Sequence, residues 1–247
     1  EILRCLVGSE MCIRDRKYPN VKFPEGMQLK YAEAYAQNTD LVGWLKIDKL
    51  KMDFPILQTD NDSYYLKRSF THRYTDLGNP FLAHANSIEP LDRNSIIYGH
   101  STRSSDKIFS KLFDYRTTRG FINNPIIEFN TIYHDYKWKV YAVFITNATT
   151  AEDNGYFFNY VWTNISEASF EQYIAELDSR KLYTTGVDIK PTDKILTLST
   201  CLYEFDNARL VVVARMVRDG ESEEVDTSLV KTCLLYTSDA ADDTPCV

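Results

Sequence analysis

Cysteine is nearly absent from the body of this chain. Five occur in 247 residues, and four of them (Cys5, Cys12, Cys233 and Cys246) lie close to the two ends. Those ends read as foreign to any fold. Residues 11–16 (Met-Cys-Ile-Arg-Asp-Arg) translate the transposase-end adapter ATG TGT ATA AGA GAC AG in one frame. Residues 233–238 (Cys-Leu-Leu-Tyr-Thr-Ser) translate its reverse complement, and residues 239–243 fit the next stretch of the same adapter. Residues 1–16 and 233–247 are therefore expected to be adapter-derived read-through and are set aside from fold reasoning. Cys201 is then the sole cysteine left. That excludes a disulfide framework and a cysteine-based metal site, and leaves one thiol to explain. A missing leader or anchor carries no information, because the natural N-terminus is expected upstream of the sequenced one.

Other shortages narrow the class further. A basic excess is missing: the net charge of −7 becomes −4 once the charge-balanced residues 1–16 and the three acids of residues 233–247 are removed. Mild acidity argues against nucleic acid as a partner, which usually leaves a basic footprint. No run of eighteen apolar residues occurs, so no spanning helix is written into it. Internal repeats and low-complexity tracts are missing too. Glycine is scarce, at nine residues, against 17 tyrosines and 13 phenylalanines. Abundant aromatics in many short segments suit a barrel or sandwich rather than a coiled or disordered chain. The remaining residues suffice for one domain with a real core.

The patterning predicts mostly strands. Residues 29–38 are Ala-rich and predict an N-terminal helix ending at Asn38. Residues 41–47 and 54–57 predict a strand pair joined by a charged turn, with Pro55 marking an edge or a bend. Asp60-Asn61-Asp62-Ser63 reads as a solvated turn; it lacks the glycine and closing glutamate of a calcium loop. Strands are predicted at 79–83, at 94–98 running into Gly99-His100, at 125–129 and at 136–145. A short helix is predicted at 105–112 from Ile108, Phe109 and Leu112. Phe170, Tyr173, Ile174 and Leu177 recur at i, i+3, i+4, i+7, which predicts an amphipathic helix over 166–181 capped by Ser166. Residues 194–201 form a strand that delivers Cys201 at its end, and after a polar turn (203–207) a last strand begins with Arg209. The expectation is one mostly antiparallel barrel.

Three side chains of distinct chemistry end strands: His100, Cys201 and Arg209. Each has a plain reading: a structural histidine, a small buried hydrophobe, a solvated edge charge. A lone cysteine with a histidine elsewhere is also the composition of a nucleophile–base pair. His72 and His134 lie in polar turns, and His84 follows a short strand as a minor pocket residue.

Tyr98-Gly99-His100 and Thr197-Leu198-Ser199-Thr200-Cys201, with Arg209 downstream, resemble the sortases, cysteine transpeptidases of Gram-positive cell surfaces. The opening segments 38–45 and 61–66 and the late helix resemble class B members, and the likeness extends over nearly all of residues 17–218. The resemblance implies a single-domain, mostly β, closed sortase-like barrel over 17–218, with an N-terminal helix, a helix inserted near the late strands, and a C-terminal tail over 219–232. It implies catalysis by His100, Cys201 and Arg209, with Leu66, Tyr98, Ser199 and Thr200 lining a peptide groove. A thiolate would attack a sorting signal after threonine, an imidazolium would protonate the leaving amine, and a cell-wall peptide amine would resolve the thioester. The implied partners are a surface protein bearing the signal and a peptidoglycan precursor or cell-wall peptide. The implied location is the outer face of the membrane, by a tether this chain does not include. No cofactor or metal is implied; Glu152 and Asp153 are too few for the calcium site of another sortase class.

Two departures stand out. Ala83-His84-Ala85 replaces the Asp-aromatic-Arg usual after the Phe-Leu strand, which reshapes one wall. Tyr203 stands where some relatives carry an acid, so no catalytic acid is assigned. Two alternatives stay open: a catalytically silent barrel that binds cell-wall peptides, and a thiol peptidase that uses water as acceptor.

Overall fold

The computed structural model describes residues 16–102, 106–148, 157–202 and 207–233. In chain order its regular elements are α1 (Ala32–Gln37), β1 (Leu41–Ile47), β2 (Met52–Leu57), β3 (Phe81–Leu82), β4 (Asn94–Tyr98), α2 (Thr118–Asn123), β5 (Ile126–Thr131) and β6 (Lys137–Asn147). They continue with α3 (Glu167–Arg180), β7 (Tyr183–Thr184), β8 (Ile195–Cys201), β9 (Ala208–Met216) and β10 (Lys231–Thr232). Eight strands close a barrel in the order β1-β2-β3-β4-β8-β9-β6-β5, and β5 pairs back onto β1. Closure removes the sheet edges that would otherwise pair with another chain. The barrel is mostly antiparallel, as expected; the exceptions are β2 with β3 and β4 with β8.

Period-two alternation decides which side chains fill it. Leu196, Leu198, Leu210, Val212 and Ala214 point inward to join Phe109, Leu112, Phe129 and Trp138 in the main core. Ile195, Val211 and Val213 point outward, where α3 covers them with Phe170, Tyr173 and Leu177. The predicted stripe of α3 thus packs as expected, and the Ser166 Oγ accepts from Ser169 N at 3.2 Å to cap it. Burying each such side chain contributes about 1.5–3 kcal/mol.

Three local expectations change, and one helix is new. The N-terminal helix opens as a 3-10 turn (Leu29–Tyr31) before α1 begins. The strand expected at 79–83 shrinks to Phe81–Leu82, because Pro80 has no N–H to give and the Asn79 side chain bonds the Pro55 and Pro80 carbonyls instead. The helix expected at 105–112, whose first residue lies outside the described ones, is a 3-10 run over Ile108–Arg116. Phe109, Leu112 and Tyr115 are all fully buried at a spacing of three, the repeat of a 3-10 helix. It leads into α2, which the patterning did not reveal and which Thr117 caps.

Residues 219–232, expected as a tail, run back over the base of the barrel. Val225 and Val230 pack against the main core, and β10 pairs with β7. The Glu221 carboxylate bridges Arg215, only 1 % exposed, and Lys139. Asp188 and Asp193 bind Arg218 beside it. Among the described residues no helix is long and apolar enough to cross a membrane.

Candidate active site

The parallel pairing of β4 with β8 brings two distant strand ends together. Tyr98 stands opposite Ser199, and Gly99 N continues the ladder to Ser199 O at 3.2 Å. Two residues beyond that register come His100 and Cys201. On the other side of β8, Cys201 is the cross-strand partner of Arg209. All three lie on the outward parity of the sheet, the parity of Ile195, Val211 and Val213, but at the end away from those α3-covered residues. A groove of about 240 Å³ opens there, lined by all three together with Asp62, Leu66 and Tyr98.

Local sequence fixes each group. Gly99 is required by a close approach: a Cβ at this position would lie 2.6 Å from the Phe109 ring. The ring of Phe109 is buried, and its N–H donates to the His100 carbonyl at 2.9 Å. Core packing therefore sets the backbone that carries the imidazole. His100 Nε2 is enclosed and has no hydrogen-bond partner among the described residues. The Ser101 hydroxyl donates to the Cys201 carbonyl at 2.5 Å, tying the two strand ends across the site. Cys201 itself is half-buried. The Arg209 guanidinium donates to the Ala208 carbonyl at 3.1 Å, and among the described residues it has no carboxylate partner.

The four residues expected to line a groove divide into two kinds. Leu66 follows the turn at 60–63, whose Asn61 Oδ1 accepts from Ser63 N and Tyr64 N and so starts the 3-10 turn Tyr64–Lys67. Tyr98 packs against Phe81 with ring centroids 5.5 Å apart and the rings tilted by 44°, and burial pushes its phenol well above its ordinary range. Both present side chains at the groove. Ser199 and Thr200 are each 2 % exposed, with their hydroxyls engaged by Tyr160 Oη (3.0 Å) and Gly99 O (2.7 Å). They line the groove with their hydroxyls already bonded within the protein.

Three neighbours escaped the sequence reading. Ser101 directly follows His100, and its hydroxyl is the signal that was passed over. Tyr160 belongs to the aromatic cluster under α3 and offered no local pattern. Asp62 read as one acid of a solvated turn. It instead accepts from His84 N at 2.7 Å and pairs with His84 Nδ1 at 2.9 Å. Tyr203, Glu152 and Asp153 lie outside the described residues, as do residues 1–15 and 234–247. Among the described residues no group of histidines, cysteines and acids is arranged to hold a metal.

The sequence model of the Sortase domain matches residues 45–217. The sortase B of Listeria monocytogenes is 31% identical over 183 residues, covering 73% of this chain and 71% of the relative. Among solved structures, Clostridium perfringens sortase B is 28% identical with a TM-score of 0.68, covering 75% of this chain and 98% of its own. A Staphylococcus aureus sortase B–substrate complex is 25% identical with a TM-score of 0.70, covering 86% and 93%. A family match across most of the barrel, together with sortase B relatives in both sequence and shape, means that this chain belongs to the sortase family, in class B.

Proposed function

We propose that this sortase cuts a C-terminal sorting signal after threonine and joins the upstream protein to a cell-wall peptide amine, with Cys201, His100 and Arg209 as its catalytic residues. The single observation that carries the reading is the register that flanks Cys201 with the His100 strand on one side and Arg209 on the other. The Cys201 thiolate attacks the scissile carbonyl, and a C–S bond forms as the carbonyl π pair moves to oxygen. Arg209 is permanently cationic and forked, suited to hold substrate backbone and stabilise that oxyanion. The intermediate collapses, the C–N bond breaks, and the departing amine takes its proton from the His100 imidazolium. A second amine then attacks the thioester and gives its proton to neutral His100, and the thiolate leaves. An imidazole Nε2 with no hydrogen-bond partner among the described residues supports that double duty, since no bond to one of them must be broken to free it.

The sortase B relatives support a cell-surface setting, and the substrate complex of the S. aureus relative supports a peptide in the groove. Residues 17–218 would form the catalytic unit, with residues 1–16 and 233–247 adapter-derived. The deciding experiment incubates a Thr-containing sorting peptide with the protein, with and without triglycine or a diaminopimelate peptide. Amine-dependent products that vanish in Cys201→Ala bear the reading out. Products unchanged by amine would make it a hydrolase, and cleavage surviving Cys201→Ala would end it.

A further inference from the structure

Among the described residues lining the groove, one carries a negative charge. Asp62 is fixed rather than waving: its Oδ1 accepts the His84 backbone N–H at 2.7 Å and its Oδ2 pairs with His84 Nδ1 at 2.9 Å. Asn61, its neighbour, holds the turn with three more hydrogen bonds. The Asp62 side chain is still 38 % exposed, so lone pairs remain for a ligand. It lines the groove together with Leu66, Phe81, Tyr98 and Arg209. Burial is the main cause of the raised Tyr98 phenol, with Tyr160 adding to it; the Asp62 charge adds further and the Arg209 charge opposes. Asp62 and Arg209 both line the groove that Tyr98 borders, so its described lining carries one side chain of each charge sign beside the histidine.

An ionised carboxylate only accepts hydrogen bonds, and it repels another carboxylate. The acyl half of a substrate stays in the groove through both half-reactions, whereas the leaving half departs, so a fixed wall acts chiefly on the acyl half. We propose that Asp62 is a specificity-determining residue: it selects peptides that present a cationic or N–H-donating side chain to it on the acyl side of the scissile bond, and disfavours those presenting a carboxylate. His84 is a positioning residue that aims the carboxylate. The inference takes from the function proposed above the ligand, a sorting-type peptide, and the retention of its acyl half on the enzyme.

The test measures binding first. Fluorescein-labelled, Pro-containing sorting-type peptides, with Lys, Gln, Leu or Glu walked through each position before and after the threonine, are titrated by anisotropy onto the Cys201→Ala protein. At one acyl-side position Lys and Gln should bind about fivefold tighter than Leu, and Glu weaker than Leu. Asp62→Lys should reverse the Lys–Glu order at that position alone. Asp62→Asn, nearly the same shape, should level Lys with Leu and carries the test if the lysine variant fails to fold. An order unchanged by either variant, or a lysine preference equal at every position as expected from the acidic chain as a whole, overturns the proposal. Turnover of the same peptides by the protein with Cys201 intact separates the two readings. A binding order that reverses without any cleavage keeps this inference and overturns the transpeptidase; cleavage with a flat order does the opposite.

Discussion

Cys201 and Arg209 face each other as a cross-strand pair where β8 ends and β9 begins. Directly opposite residues of an antiparallel pair sit about 4.5–5.5 Å apart at Cβ. A guanidinium reaches further than that, so in the proposed mechanism its donors can meet an oxygen bonded to the carbon that sulfur would attack. Arg209→Lys keeps the charge but loses the fork and the reach. It should lower kcat/KM about 10²–10³-fold, the range for losing one oxyanion donor. Steady-state cleavage of a quenched sorting peptide reads it, and an Arg209→Lys protein within threefold of the parent would remove Arg209 from the oxyanion role.

Gly99→Ala should damage the site through the core. The added methyl would sit 2.6 Å from the ring of Phe109, which is buried and has nowhere to retreat. Overpacking of this kind costs about 1–3 kcal/mol. Because Phe109 N also holds the His100 carbonyl, activity should fall further than folding does. Urea denaturation and kcat measured on the same preparation check both; a stable, fully active variant contradicts the account.

Ser101→Ala should leave the fold nearly intact and slow the chemistry. The hydroxyl ties the Cys201 carbonyl to the His100 strand at 2.5 Å, a bond of about 0.5–1.5 kcal/mol. Its loss loosens Cys201 against His100, so with the roles proposed for them kcat should drop while KM holds. A KM effect alone would make Ser101 a binding residue.

Glu221→Ala should destabilise the barrel at the end remote from the site. It removes the bidentate partner of Arg215, buried to 1 %, and the partner of Lys139. Stranding a buried cation costs about 3–5 kcal/mol, less here because Asp188 still reaches Arg215. Chemical denaturation at pH 7 checks the size, and kcat of the folded fraction should not change.

The same pair gives an acid limit. The Arg215 guanidinium and the Lys139 ammonium hold the Glu221 carboxyl far below its ordinary value of 4.5. A depressed folded pKa means its contribution is whole above about pH 4.5 and fades as acid carries the solution down toward the folded value. Stability should therefore fall below pH 4.5 in the parent and fall less steeply in Glu221→Ala. Parallel denaturation curves between pH 3 and 7 compare them; parallel slopes would contradict the assignment.

What the sequence disclosed follows from how far each signal reaches. Alternation in Leu41–Ile47 and the four-residue stripe of α3 are local, and they placed the barrel wall and its outer helix. Cys201 and His100 were legible because each ends a strand in a motif with kin. Asp62 was not, since nothing in Asp60-Asn61-Asp62-Ser63 tells that His84 comes back to meet it. A short helix was legible from Ile108, Phe109 and Leu112, but its 3-10 form was not, because those three fit periods of 3 and 3.6 equally well; Tyr115 breaks the tie. Glu221 looked like tail because its partners, Arg215 and Lys139, belong to strands whose lateral order only closure of the barrel decides.

The parallel seam between β4 and β8 joins residues about a hundred positions apart. Such a seam forms late, because the long intervening loop must close before any contact repays it. During synthesis the histidine emerges first and waits for a sulfur, and the guanidinium arrives last of all. If the three side chains hold the proposed roles, an unfinished copy on the ribosome is unarmed, and the ability to cut is switched on only when the last staves of the barrel are in place.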